Sequence, residues 1–231
     1  TALGDRAKAR GTQSLALASA AEAEGYQAVA VGTRAVSNAV NSVALGVESS
    51  ATALNGLAVG TSSSVRKEGG TAVGGGASAL EEKSLALGFQ AKGKAEKGVA
   101  LGAQSIADLA AGQAGYDFAT QSASQSEDKT WKSTLGAVSV GNEKDSRQIT
   151  HVAAGTQDTD AVNVAQVKRL AERWQADSQQ KESAVAAQIN QIRAETRVEM
   201  KKLEDRADAG SAAAIAVGNL GQAYQPGQGA V

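Results

Sequence analysis

Small and aliphatic residues recur every 14 positions along the first half of the chain. The recurring segments begin SLALA at Ser14, AVAVG at Ala28, SVALG at Ser42, GLAVG at Gly56, GTAVG at Gly70, SLALG at Ser84 and GVALG at Gly98. Within each segment aliphatic residues alternate with one alanine, and an alternation of period two is typical of a β-strand. A fixed period held through consecutive copies predicts a repeat architecture.

A period of 14 residues accommodates two short strands and two tight turns. Stacking such units places like strands side by side in parallel register, which predicts a flattened β-roll. We expect Val43 and Leu45 to point into the roll and Ala44 to point out of it. An outward alanine in every copy favours a surface where another chain packs closely, formed by Ala30, Ala44, Ala58, Ala72, Ala86 and Ala100.

The period holds over residues 1–105 and breaks over 106–150. The latter range contains a Ser- and Gln-rich stretch, which predicts an inserted loop anchored by Tyr116, Phe118 and Trp131. Residues 137–141, AVSVG, resemble a last repeat segment. Thr1–Gly4 has the pattern of the end of a repeat, so we expect the sequence to be a piece of a longer chain.

Residues 161–209 contain no Gly or Pro and are rich in helix-forming residues. Asp158, Thr159 or Asp160 is expected to cap this helix, and Gly210 to end it. Partly apolar positions follow 3-4 spacing with one extra four-residue step, which predicts a heptad seam with a stutter. Its members are Val164, Val167, Ala171, Trp174, Ser178, Lys181, Val185, Ile189, Ile192, Thr196, Met200 or Glu199, and Leu203.

The amino-acid composition limits the possible functions of the chain. Aromatic residues make up 3% of the chain, too few for an ordinary globular core, so both halves are expected to need partner chains. The net charge of −1 gives no general attraction to nucleic acid. With no cysteine and one histidine, we expect no cofactor and no metal site. Residues 88–94 spell GxxxxGK, but Ala95 stands where a phosphate loop needs Ser or Thr.

Three segments in order carry a resemblance to a known family: the 14-residue head repeats, VAAGTQDTDAVNVAQ at residues 152–166, and QAYQPG at residues 222–227. This order resembles the YadA-like trimeric autotransporter adhesins of Gram-negative bacteria. The resemblance implies a homotrimer of left-handed parallel β-rolls, a neck over residues 151–166 and a trimeric coiled-coil stalk. It also implies that residues 210–231 begin a truncated anchor in the outer membrane, with the rest of the adhesin displayed on the cell surface.

The resemblance also suggests functional residues. Collagen-binding members repeat NSVAIGxxS, and residues 41–49, NSVALGVES, differ from that pattern at Leu45. The corresponding ligand candidates are Asn41, Ser42, Val43 and Ser49. Independently of the resemblance, the nearby charges of Lys92 and Lys94 form either a solvated edge or contacts for an acidic ligand. In the neck, Asp158, Asp160, Asn163 and Gln166 are expected to guide the chain into the stalk.

The leading hypothesis is a surface adhesin that binds a host matrix protein or cell-surface receptor, with no nucleic-acid partner. Alternatives are a spacer that presents a binding head elsewhere in the protein, and a factor for bacterial self-association. A β-solenoid enzyme would need clustered carboxylates, whereas Asp and Glu are scattered among the repeats. The sequence therefore favours a binding or structural protein over an enzyme.

Overall fold

A computed structural model describes the backbone of residues 1–222 and the side chains of residues 1–218. The chain divides into a first unit, Thr1–His151, and a second that begins at Val152. The first unit is a parallel β-solenoid of about eight turns. The second contains helix α1, Val164–Gln222. The predicted combination of a parallel β-roll with a long helix is confirmed.

The roll consists of two sheets whose neighbouring strands are one coil apart. The nine-stranded sheet contains β1 (Ala2–Leu3), β3 (Leu15–Leu17), β5 (Val29–Val31), β7 (Val43–Leu45), β9 (Leu57–Val59), β11 (Thr71–Val73), β13 (Leu85–Leu87), β15 (Val99–Leu101) and β19 (Val138–Ser139). The eight-stranded sheet contains β2 (Lys8–Ala9), β4 (Glu22–Ala23), β6 (Val36–Ser37), β8 (Ser50–Ala51), β10 (Ser64–Val65), β12 (Ser78–Ala79), β14 (Lys92–Gly93) and β16 (Ile106–Ala107). Like residues stack on like residues, as in the parallel pairing of Ala44 with Ala58.

The direction predicted for the repeat side chains was wrong. Ala44 is fully buried inside its own roll, whereas Val43 and Leu45 are partly exposed on the outside. The same holds for the other alanines assigned to chain packing, which are buried at 0% exposure: Ala30, Ala58, Ala72, Ala86 and Ala100. These alanines therefore cannot form the surface between chains.

The physical reason is the thinness of the roll. Strands of two and three residues joined by tight turns leave room only for small side chains between the two sheets. Seventeen of the eighteen buried hydrophobic residues of the described chain are alanine, and the remaining one is Val65. Because stabilisation scales with buried apolar area, this interior contributes little compared with a core of Leu and Val.

The larger aliphatic side chains lie on the outside of the nine-stranded sheet. We call this surface the aliphatic face, formed by Leu15, Leu17, Val29, Val31, Val43, Leu45, Leu57, Val59, Thr71, Val73, Leu85, Leu87, Val99 and Leu101. Leu87 and Leu101 are 39% and 44% exposed. A continuous apolar surface of this kind marks an interaction site in a soluble protein.

The eight-stranded sheet presents a different exterior, which we call the polar face. Its outward positions are Lys8, Glu22, Val36, Ser50, Ser64, Ser78, Lys92 and Ile106. Lys8 Nζ donates a 2.6 Å hydrogen bond to Glu22 Oε1 in the next coil, which lowers the pKa of the Glu22 carboxyl. The roll thus has one surface suited to another chain and one suited to water.

The corners divide each coil into two halves of seven residues. Every seventh residue from Arg6 to Gln104 has a positive φ, in the left-handed region. Each such residue is the third of a four-residue turn, and the turn is closed by a backbone hydrogen bond such as Ser49 N to Gly46 O, at 3.2 Å. Residues with unbranched side chains, Asn and Gly tolerate this conformation better than β-branched residues do.

A column of glycines stands where the first strand of each coil ends. Gly46 has φ +137°, and a Cβ built there would lie 2.6 Å from the carbonyl carbon and oxygen of Gly60. Ala18 occupies the same column with φ +96°. It is the one member of this column that carries a side chain.

Replacing Ala18 with glycine should therefore stabilise the roll. Relief of a strained backbone is worth about 1–3 kcal/mol, and the added freedom of glycine in the unfolded chain offsets about 0.5–1 kcal/mol of it. Thermal melting of the β-sheet circular dichroism signal should shift upward. In the control Ala16→Gly, a fully buried methyl is lost from an ordinary strand conformation, and the midpoint should fall. A lower midpoint for Ala18→Gly would show that the column does not require glycine.

The roll is interrupted between β16 and β19. This segment contains an antiparallel hairpin of β17 (Tyr116–Asp117) and β18 (Ser122–Ala123). Its aromatic residues do not anchor it as predicted: Tyr116, Phe118 and Trp131 are 56%, 87% and 41% exposed. The rings of Tyr116 and Phe118 instead contact each other edge to face, with centroids 5.2 Å apart.

Helix α1 does not end at Gly210, as the sequence had suggested, but continues to Gln222. A glycine inside a helix costs about 1 kcal/mol relative to alanine, which the long run of alanines around it tolerates. Residues 223–231, with the Pro226–Gly227 turn predicted for the start of an anchor, lie outside the described residues. Up to residue 222, no helix combines the length and hydropathy needed to cross a membrane.

Candidate functional site

Asn41, the first of the predicted ligand contacts, lies at an exposed corner of the roll. It has φ +56°, and its Nδ2 donates a 3.1 Å hydrogen bond to Asn55 Oδ1 in the next coil. Gln27 and Gln13 form the same contact one coil apart, at 2.9 Å. The corner thus carries a ladder of side-chain amides that stabilises adjacent coils and still faces solvent.

Ser42 and Ser49 are not ligand contacts, contrary to the prediction, because both are fully buried within the roll. Ser42 Oγ donates to Ala39 O at 2.7 Å and is paired with Ser37 Oγ at 2.6 Å. Ser49 Oγ donates to Gly46 O at 2.9 Å. These hydroxyls donate to carbonyls of the corners, which explains why serine as well as alanine occupies inward positions.

Val43 is part of the aliphatic face, whereas Lys92 and Lys94 project from the other sheet. Both lysines are exposed, and neither forms an ion pair within the described residues. The predicted ligand residues therefore do not converge. The structure divides them among an amide corner, the interior, an apolar face and a basic region.

The basic region adjoins a segment that sequence reasoning missed. Residues 139–147 lie across the last coil, where Ile106 N donates to Gly141 O at 2.8 Å. Arg147 donates to Ala103 O at 2.6 Å and to Ser105 Oγ at 3.1 Å, and it also bonds Val140 O. Arg147 thereby satisfies carbonyls at the end of the solenoid, a role that one arginine in a polar loop does not indicate in sequence.

The neck residues Asn163 and Gln166 form a reciprocal cap at the start of α1. Gln166 N donates to Asn163 Oδ1 at 3.1 Å, and Asn163 N donates to Gln166 Oε1 at 3.2 Å. This is the capping-box arrangement, with Asn163 as the N-cap residue. The prediction that Asp158, Thr159 or Asp160 caps the helix was wrong, because the helix begins later, at Val164.

The same two side chains hold the preceding segment against the helix start. Gln166 Nε2 donates to Gly155 O at 3.0 Å, and Gly155 N donates to Gln166 Oε1 at 3.1 Å. Asn163 Nδ2 donates to Val152 O at 3.2 Å. Residues 152–155 are thus fixed by amide side chains rather than by a hydrophobic contact.

Asp160 organises the turn between these segments. Its Oδ2 accepts hydrogen bonds from Thr156 N at 2.9 Å, Gln157 N at 3.0 Å and Thr156 Oγ1 at 3.3 Å. The backbone hydrogen bond from Thr156, followed by that from Gln157, lowers the pKa of the Asp160 carboxyl below its ordinary value of 3.8. Asp158 accepts none of these bonds.

We expect Asp160→Ala to destabilise the neck at neutral pH but not in strong acid. Because the folded-state pKa is lowered, the carboxylate contributes stability that is present above pH 3.8 and is lost as pH falls through the lowered value. Thermal melting of wild type and variant between pH 7 and pH 2 measures the difference. The difference in melting temperature between wild type and Asp160→Ala should shrink as the pH falls, whereas the control Asp158→Ala should show no such dependence on pH. A difference for Asp160→Ala that stays constant with pH would refute this role.

Apolar residues of the helical seam are exposed along α1. Val164, Val167, Trp174 and Ile192 are between 55% and 70% exposed in the single chain. A helix that leaves such a stripe uncovered gains its stability from partner helices. The second unit therefore presents an apolar surface of its own.

Comparison with protein families agrees with these features. A model of the YadA head domain repeat matches residues 1–17, 23–49, 37–63 and 66–91, and a model of the coiled stalk of trimeric autotransporter adhesins matches residues 148–190. Together the matches cover more than half of the chain, in the order head and then stalk. The chain belongs to the YadA-like trimeric autotransporter adhesins.

Individual relatives match parts of this adhesin. BadA, an autotransporter adhesin of Bartonella henselae, is 59% identical over 68 residues, which are 29% of this chain and 2% of BadA. YadA of Yersinia enterocolitica is 52% identical over 44 residues, 19% of this chain and 10% of YadA. The trimeric autotransporter adhesin AtaA of Acinetobacter sp. strain Tol 5 is 50% identical over 70 residues, 29% of this chain and 2% of AtaA. The chain thus spans a small part of these relatives.

A solved structure is also similar. The crystal structure of the collagen-binding domain of the Yersinia adhesin YadA is 36% identical, with a TM-score of 0.46. The alignment covers 72% of this chain and 87% of that one.

Proposed function

We propose that this chain is the head and stalk region of a bacterial surface adhesin that attaches to host extracellular matrix or cells. The observation that carries the proposal is the division of the roll into an aliphatic face and a polar face. The aliphatic face is suited to contact with partner chains, and the polar face presents polar residues to solvent. Such a molecule acts as a binding surface rather than as an enzyme.

Assembly as a homotrimer covers the aliphatic face. The alanine interior alone stabilises each coil weakly, whereas burial of an outward Leu or Val contributes about 1.5–3 kcal/mol. The exposed seam of α1 requires the same partners, so head and stalk assemble together. Trimers, rather than dimers, are proposed because the family named by the matching stalk model is trimeric.

Attachment then follows from repetition. Three chains would present three copies of each coil, including the exposed corner at Asn41 and the region of Lys92 and Lys94. Contacts that are weak singly become firm when many engage at once. We propose that the adhesin is displayed on the outer surface of a Gram-negative cell, with residues 210–231 leading towards its membrane anchor.

The test is binding of the purified chain to immobilised collagen, fibronectin and laminin and to epithelial cells. A chain lacking residues 1–151 serves as the control, and its helical circular dichroism signal shows whether it is folded. The proposal predicts saturable binding by the full chain that the control lacks. Equal binding by both chains would place the activity outside the head.

A spacer role is the second candidate, favoured by the small share of the relatives' length that this chain spans. In that case the rolls hold a separate binding head away from the cell. A folded trimer that binds none of the tested ligands, together with binding by a different domain of the same adhesin, would establish this role.

A further inference from the structure

The last coils of the roll carry a shallow cleft that the adhesive surface described above does not use. It lies where residues 139–147 cross the polar face, and it has a volume of about 470 Å³. Gln90, Lys92, Gln104, Asn142 and Lys144 supply most of its polar lining, and Asp145 adds one carboxylate. A second hollow, about 690 Å³, adjoins the same segment, and its charged lining is balanced between three cations and the carboxylates of Asp108, Glu143 and Asp145. Both volumes lie in the range of ligand sites in proteins.

Several contacts give the cleft a defined shape. Asn142 Nδ2 donates to Gln104 O at 3.0 Å, which ties the crossing segment to the last coil. Asn142 Oδ1 also accepts from Lys144 N at 2.9 Å, which fixes the backbone beside the Lys144 side chain. The walls therefore consist of two solenoid coils and a strap bonded to them, and not of loose loops.

The charges of the cleft are available for a ligand. Within the described residues, Lys92, Lys94 and Lys144 form no ion pair, although Glu143 and Asp145 belong to the same strap. Arg147 bonds carbonyl and hydroxyl oxygens instead of a carboxylate. Two ammonium groups without an ion pair, beside amides and a single carboxylate, are suited to a ligand that carries both an anionic group and hydroxyl groups.

An apolar surface lies next to these groups. The side chain of Phe89, which precedes Gln90, is 58% exposed. Its ring lies beside Gly75, where a Cβ would be 3.5 Å from Phe89 Cδ2, and Gly76 lines the cleft. Phe89 does not line the cleft itself, but its exposed ring, one residue before Gln90, offers a flat apolar contact to a ligand that extends beyond the cleft.

We propose that this cleft binds an acidic polysaccharide, in which sugar carboxylates or sulfates contact Lys92 and Lys144 and sugar hydroxyls contact the amides of Gln90 and Gln104. The proposal rests on the proposed function, because the polar face must remain exposed in the assembled adhesin. A nucleotide fits less well: residues 88–94 form a corner and strand β14 rather than a loop followed by a helix.

The test compares the full 231-residue chain with three variants by surface binding to heparin, hyaluronan, poly-glutamate and neutral dextran. Lys92→Gln with Lys144→Gln should weaken binding to the acidic polysaccharides at least tenfold, because each charged hydrogen bond contributes about tenfold in affinity. Lys67→Gln with Lys83→Gln removes the same charge from exposed positions outside the cleft and should bind as wild type does. Phe89→Ala should weaken binding without changing the charge.

The pattern of outcomes decides the proposal. Binding to heparin alone assigns sulfate as the anionic group, and binding to both polysaccharides assigns the carboxylate. The proposal would be overturned if both lysine double variants lost the same affinity, if poly-glutamate bound as tightly as the acidic polysaccharides, or if neither acidic polysaccharide bound. Parallel binding of each preparation to collagen and epithelial cells keeps failure of the cleft separate from failure of the adhesin function.

Discussion

Replacing Gly46 with alanine should destabilise the head by about 3 kcal/mol, since a strained left-handed residue alone costs about 1–3 kcal/mol. The new Cβ would stand 2.6 Å from the Gly60 carbonyl, so two stacked coils would have to separate. No side-chain movement can relieve this contact, because the neighbouring atoms are backbone. Denaturant unfolding followed by β-sheet circular dichroism measures the loss.

The matched control is Gly210→Ala in helix α1. A Cβ at Gly210 meets nothing within 4 Å, and its backbone is helical. Alanine should therefore stabilise the helix by about 1 kcal/mol. If Gly46→Ala unfolded at the wild-type denaturant concentration, the close approach of coils would not be what fixes glycine in this column.

A charge on the aliphatic face should have the second large effect. Val59 projects outward from β9, and in a trimer Val59→Glu would bring a carboxylate from each chain into an apolar interface. Burial of unpaired charges costs several kcal/mol, so the melting midpoint of the head should fall by about 10 °C in a chain of this size. The concentration needed for trimer assembly should rise as well.

The control for this variant is Ser64→Glu, one strand further along the same coil. Ser64 lies on the polar face, where it bonds Ser78 Oγ at 3.2 Å and where a charge remains in water. It should melt close to wild type and sediment at three times 23.2 kDa. Equal effects of the two substitutions would mean that the two faces are not different environments.

Much of this fold could be predicted from the period alone. Fourteen residues, alternating aliphatics and a recurring glycine are enough to indicate parallel coils, because register in a stacked sheet follows the repeat. The inward and outward positions were assigned the wrong way round. The larger residue of an alternating pair usually faces the core. Here the two sheets are so close that almost only alanine and serine fit between them, and the larger residues face outward, where a partner chain can cover them.

The seven-residue half-repeat was present in the sequence but unrecognised. Its left-handed positions hold residues as different as Arg6, Gln27, Asn41 and Gly69, so no single residue type marks them. What they share is the absence of β-branched side chains and proline, which a search for similarity does not detect. The start of the helix was also predicted too early: three suitable caps precede Asn163, but hydrogen bonds that link Asn163 and Gln166 to residues 152–155 favour Asn163 as the cap.

The candidate site was harder to predict than the fold. Asn41, Ser42, Val43 and Ser49 are close in sequence and were predicted to form one motif. In the structure Asn41 faces solvent, Ser42 and Ser49 face the interior, and Val43 lies on the aliphatic face. The cleft beside Lys92 depends on residues 142–147, about 50 positions later in the chain, which no local pattern associates with it.

In the assembled protein, the aliphatic face of the roll must be covered and the polar face must remain in water. Because the chain has no cysteine, single replacements at Val59 and Ser64 can be labelled with a thiol reagent in the native state. We predict that the thiol reagent labels Ser64→Cys rapidly in the native protein, and that Val59→Cys is strongly protected from the reagent until the protein is unfolded. Labelling of Val59→Cys as fast as Ser64→Cys in the native protein would contradict it.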